Sequence, residues 1–227
     1  MTTMTTSRFE RLLPLAGALG GLVAIVAMVL TINEPSITDG EQKYVRWYSD
    51  HQAVETIAGF AAIYFCVLML FFATAVRRAL RSGERGSSAH ANAAFAGGIV
   101  FGIGITLMAM VSFANVEAAD KHNAQAVISL GYLSDSTWLL FIAGLAAFYL
   151  ATGLGALRTG ALPKWLAIVT IVLGVLSLTG PTGIAVFFAT PVWLIVTSIL
   201  LYRRQEAPAT PAVVPASQSE LSEVRAH

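Results

Sequence analysis

Residues 54–76 read VETIAGFAAIYFCVLMLFFATAV, and residues 77–81 close the stretch with RRALR. Glu55 is the one charged residue before Arg77. At ~1.5 Å per residue, about 20 apolar residues cover the ~30 Å of hydrocarbon in a bilayer. Lipid offers a backbone no hydrogen bonds, so such a stretch folds as a helix that satisfies its own amides and carbonyls. Reading this segment as a transmembrane helix decides the fold class.

Five further apolar stretches flank it, at 12–32, 93–116, 137–157, 162–179 and 183–202. The first follows Arg8 and Arg11 but is too long for a signal-peptide core. No small-x-small cleavage site follows it, so it reads as a retained helix. The expected fold is all-α, a polytopic membrane helix bundle with six transmembrane helices. Its organisation is a cytoplasmic N-terminus at 1–11, a membrane domain at 12–204 and a Pro-, Ala- and Ser-rich tail at 205–227, expected to be disordered. Pro191 is expected to kink the sixth helix.

Bulk composition agrees. Hydrophobic residues make up 56% of the 227 and charged residues 12%, whereas soluble domains carry about 25% charged residues. Mean hydropathy is +0.70. A net charge of +1 gives no case for a nucleic-acid partner. Cys66, the single cysteine, excludes an intrachain disulfide and reads as a small hydrophobe.

The basic residues set the orientation. Six helices divide the connectors into two sets. One set holds Arg8, Arg11, Arg77, Arg78, Arg81, Arg85, Arg158, Lys164, Arg203, Arg204 and Arg225, and the other holds Lys43, Arg46 and Lys121. The first set, with both termini, is expected in the cytoplasm, which makes this a multi-pass protein of a plasma (inner) membrane of bacterial type. The acidic residues Glu34, Asp39, Glu41, Asp50, Glu55, Glu117, Asp120 and Asp135 lie on the other side.

Two short interfacial helices are expected on that outer side. Thr38-Asp39-Gly40-Glu41 has the spacing of a capping box, and Tyr44, Val45, Trp47 and Tyr48 after it read as headgroup-level anchors. Residues 120–133 place Ala126, Val127, Leu130 and Leu133 at helical spacing.

Chemistry-bearing residues are few. On the outer side, His51 and Glu55 stand four apart on one helix face, and Asp120 and His122 lie near the end of the third stretch. Imidazole and carboxylate are zinc ligands, so these four are the candidate metal residues. The simpler reading makes them solvated residues at helix ends. No HExxH or comparable spacing occurs, and no cofactor is expected. No ionisable residue falls in a helix interior, which argues against a proton-coupled carrier. Arg77, Arg78, Arg81 and Arg85 are the candidate contacts for lipid headgroups or a partner. Gly17 and Gly21, and Gly98 and Gly102, have the spacing of close helix contacts, within the bundle or in a homodimer.

The run 160–166 (GALPKWL), the run 11–17 (RLLPLAG) and the ending 193–204 resemble a family of uncharacterised bacterial six-pass membrane proteins, domain of unknown function 4386. The resemblance implies a six-helix membrane fold and no particular activity. Three function classes follow, in this order. The first is a non-enzymatic binding, sensor or assembly protein in contact with membrane lipids and a possible protein partner. The second is a carrier or channel for an uncharged or apolar solute. The third is an outer-face metal-dependent enzyme.

Overall fold

The computed structural model describes residues 8–83 and 88–206, and every regular element among them is helical. The helices are α1 (Arg8–Leu12), α2 (Leu15–Leu30), α3 (Glu41–Asp50), α4 (Gln52–Arg81), α5 (Ala89–Asp120), α6 (Ala124–Ser134), α7 (Trp138–Thr159), α8 (Lys164–Ser177) and α9 (Pro181–Glu206), with a 3-10 turn at Ile37–Asp39. The disorder expected of the tail and the role expected of Arg85 fall outside the described residues.

Four helices are long and apolar enough to cross a membrane: Gln52–Arg81 with 30 residues, Ala89–Asp120 with 32, and 19 and 24 residues of α7 and α9. The chain is a multi-pass membrane protein on that ground. The other two of the six expected spans are shorter, 16 residues in α2 and 14 in α8. Prolines set where both begin. Pro14 has no N–H to continue the ladder from α1, so the chain turns at Leu13 and Pro14 before α2 begins. Pro163 is extended at φ −54°, ψ 142°, which delays α8 to Lys164. Gly160, left-handed at φ 66°, ends α7 just before it. The link between α8 and α9 is a tight turn. Leu178, Thr179 and Gly180 make the turn, Gly180 at φ 66°, and Pro181 opens α9 as a first-turn proline.

The helices run back and forth between two ends. Arg78 of α4 pairs with Glu10 of α1 at 3.0 Å, and Arg204 of α9 donates to the Gly160 carbonyl at the end of α7. Gly83 packs on Thr159. These contacts gather α1 and the last turns of α4, α7 and α9 at one end, here the arginine end. Gly183 lies against Ser177 and Ile142, which joins the start of α7 to the turn between α8 and α9. Residues 31–50, α6 and the end of α5 form the opposite, acidic end.

Small residues set the core. A Cβ on Gly97 of α5 would stand 2.5 Å from the Phe148 amide nitrogen of α7, and one on Gly144 would strike the Phe101 amide nitrogen in return. The two backbones therefore touch, which is how van der Waals attraction holds helices together in lipid. The GxxxG residues are also used within the chain: Gly17 faces Phe72 and Ser198, and Gly21 faces the Pro191 carbonyl. Around this contact Trp193 packs edge-on against Phe72, Phe148 and Tyr149. Its indole donates to Thr170 Oγ1 at 2.8 Å, and Tyr149 donates to Thr190 Oγ1 at 3.0 Å. Those bonds tie α7, α8 and α9 together.

Gly97→Leu and Gly144→Leu should each lower the thermal midpoint in detergent by more than Gly20→Ala does. A Cβ at Gly20 meets nothing nearer than 3.5 Å. Overpacking a well-filled site costs roughly 1–3 kcal/mol, and contact with backbone sits at the upper limit because backbone cannot swing aside. Equal midpoints for Gly97→Leu and the parent chain would refute this account of the core.

Candidate functional site

At the acidic end the chain leaves α2 through residues 31–36 and turns back towards the bundle. Ser36 accepts from the Thr38 amide at 3.2 Å, and Asp39 accepts from the Ser36 amide at 3.1 Å. This is a capping box two residues earlier than the one expected at Thr38, because it closes the 3-10 turn rather than α3. Gly40, at φ 130°, then lets α3 start in a new direction.

α3 presents Tyr44, Trp47 and Tyr48 at positions i, i+3 and i+4, on one face. That face turns into the protein. Tyr44 and Tyr48 are buried, so they are not lipid-facing anchors. The reason is polar. Tyr48 donates its hydroxyl to Glu34 Oε1 at 2.6 Å, and Trp47 donates its indole N–H to Glu55 Oε1 at 2.8 Å. Asn115 of α5, fully buried, donates to the Tyr44 hydroxyl at 3.1 Å. A buried phenol or indole needs a partner, and here two carboxylates and an amide supply them.

Glu34 and Glu55 line a cavity of about 360 Å³ between α2, α4, α5 and α9. Its walls include Met28, Phe65, Phe101, Met108, Phe187 and Pro191. Ile32 and Phe188 on its rim are more than half exposed, so the cavity is open there. Volume and lining match a small-molecule pocket, which takes roughly 300–1,000 Å³ of mostly apolar space with a few convergent polar groups. Apart from the two carboxylates, its polar side chains are the hydroxyls of Thr31, Ser112 and Thr190.

Burial pushes the Glu34 carboxyl up to about 7, the nearby Glu55 carboxylate pushes in the same direction, and the Tyr48 hydroxyl bond opposes both. Burial likewise raises Tyr48 and Tyr44 above the usual phenol range. Glu55, read from sequence as a solvated helix-end residue, is 2% exposed. Glu34 was not singled out at all. Its sequence signal, an acid between the end of an apolar run and Pro35, is common at any membrane boundary.

The remaining candidates are placed as follows. His51 stacks on Trp47 with ring centroids 3.9 Å apart, and its Nδ1 lies 3.1 Å from the Trp47 carbonyl. Asp120 and His122 are exposed at the end of α5, with His122 at φ 54°. Among the described residues, no three His, Cys, Asp or Glu side chains come together as metal ligands. At the arginine end, Arg77 turns to Asn92 Oδ1 at 3.1 Å and lies over Phe95. Arg81 is exposed. Arg78 instead joins Arg11, Arg204 and Glu10 around a concavity of about 330 Å³. Three helices far apart in sequence meet there, which no segment-by-segment reading anticipates.

The pH dependence of stability follows from Glu34. Its carboxyl is raised from 4.5 to about 7, so the folded protein holds this proton more tightly than the unfolded chain does. The resulting stabilisation is complete below the ordinary carboxyl value and is lost as the pH rises through about 7. The thermal midpoint in detergent should fall as the pH rises across that window, and Glu34→Gln should flatten the fall. The same slope in both proteins would rule out Glu34 as its source.

In comparisons with protein-family models, curated proteins and solved structures, the chain matches none.

Proposed function

We propose that this chain is a non-enzymatic ligand-binding protein of a plasma (inner) membrane, and that its ligand is a small molecule with an apolar body held between α2, α4, α5 and α9. The observation that carries this reading is the open cavity with apolar walls and two carboxylates. Most of the chain serves to hold that cavity. The α5–α7 contact fixes its back, and α3 fixes both carboxylates by hydrogen bonds. A second reading, a carrier for an apolar solute, draws support from Pro191. This proline stands inside α9 and lines the cavity where the helix lacks a backbone donor.

The proposed topology has six crossings, with α2 and α8 as short spans and both termini cytoplasmic. Eleven of the fourteen Lys and Arg residues fall on the cytoplasmic connectors under this arrangement. The kinship to the domain of unknown function 4386 family is part of the same proposal and rests on the quoted sequence runs. Membrane lipids are the proposed partners at the arginine end. Arg11, Arg78 and Arg204 offer three positive charges there against the one negative charge of Glu10. Anionic headgroups gain about 1 kcal/mol per basic residue at such a surface.

Native mass spectrometry of the protein released from mild detergent tests both contacts. The parent chain should retain a non-phospholipid adduct that Ala58→Phe and Ala27→Phe lose, because both side chains grow into the cavity. Arg11→Ala with Arg204→Ala should retain less anionic phospholipid. Identical adducts in the parent and filled-cavity proteins would defeat the binding reading. For topology, Lys121→Cys should react with an impermeant maleimide on intact cells, and Arg81→Cys should not, in a Cys66→Ala background. The reverse labelling would overturn the orientation.

A further inference from the structure

The cavity has an electrostatic feature that a purely apolar ligand leaves unused. Each carboxylate has one neutral donor: Tyr48 reaches Glu34 Oε1 and Trp47 reaches Glu55 Oε1. The second oxygen of each has no hydrogen-bond partner among the described residues. Glu55 is a residue 2% exposed, and it lines the cavity. No Lys, Arg or His lines the cavity. Two acids thus line a largely apolar cavity with no such residue to balance them. A phenol and an indole stabilise an acid by single hydrogen bonds, and neither cancels its charge.

We propose that the cavity binds a lipophilic cation, an alkylamine or quaternary ammonium amphiphile, with its charged head at Glu34 and Glu55 and its chain among the aromatic and aliphatic walls. This rests on the ligand-binding reading above and narrows it to one class. The chemistry of the walls selects an organic cation over a bare ion. A hydrated metal ion gains nothing from Met28, Phe65, Phe101 and Phe187, whereas an alkyl chain is removed from water by them. The opening beside Ile32 and Phe188 lies by the last turn of α2 and the Glu34 loop, so an amphiphile enters with its head at the acidic end. The raised Glu34 carboxyl is what an acid buried without a counter-charge shows, and an arriving cation lowers it again.

The carboxylates also hold α3 in place, and that structural role alone would account for them. Gln separates the two roles. An amide oxygen still accepts from the Tyr48 hydroxyl and the Trp47 indole, so Glu34→Gln and Glu55→Gln keep α3 docked while removing the charge.

The experiment uses the full chain in nanodiscs of zwitterionic lipid, with radiolabelled decyltrimethylammonium, decanol and decanoate as probes. Ala58→Phe protein in identical nanodiscs subtracts partition into lipid. The parent chain should bind the cation about tenfold more tightly than decanol, and decanoate least. Glu34→Gln and Glu55→Gln should each erase the preference for the cation while still binding decanol. If decanol and the cation bind equally, or if both Gln variants bind the cation as the parent does, the cationic class is wrong and the binding reading stands. If no probe binds above the Ala58→Phe background, the cavity is not a ligand site and both fall together.

Discussion

Everything in this bundle depends on two helices that touch without side chains between them. In lipid, apolar surface gains little by meeting apolar surface, so cohesion comes from close packing. Gly97 and Gly144 allow α5 and α7 to meet backbone to backbone, each set against an amide of the other helix. With that pair fixed, the aromatic layer around Trp193 has a wall to pack on. The hydrogen bonds to Thr170 and Thr190 then recruit α8 and α9.

The same arrangement leaves space on the other side. α2 meets α4 and α9, and α4 meets α5, while large side chains such as Phe65, Phe101 and Phe187 line the gap rather than fill it. Where α5 and α7 meet backbone to backbone the protein is solid, and between α2, α4, α5 and α9 it is hollow. The hollow ends at two acids. Their position there is tolerated because α3 folds over them and offers a phenol and an indole, while burial pushes the Glu34 carboxyl up from its ordinary value. Structure and proposed chemistry are therefore coupled through α3. The contacts that dock this helix are also the contacts that hold the carboxylates in position at the cavity.

Much of this was legible beforehand, and unevenly. The helical class, the apolar segments, the separation of basic and acidic ends and the short helix after Asp120 all follow from local properties of the chain. Other features did not. Arg77 and Arg78 are neighbours in sequence, yet one turns to Asn92 and the other to Glu10, since residues one apart on a helix point about 100° apart. Tyr44 and Tyr48 resembled membrane anchors because aromatic composition alone does not reveal that partners wait inside. Glu34 reads from sequence only as one of several acids on the outer side, because its importance comes from Tyr48, fourteen residues later, and from Glu55 across the cavity.

Hydropathy and charge are sums along a chain, so the sequence alone determined that hydrocarbon surrounds these helices and that arginines mark one end of the bundle. Prolines and glycines, acting on their own backbone, likewise set where α2, α8 and α9 begin. Which helical faces meet is a property of pairs of segments, settled by the fit of backbone to backbone. Only that fit decided that two carboxylates from different segments share one cavity, and that three arginines from α1, α4 and α9 surround another.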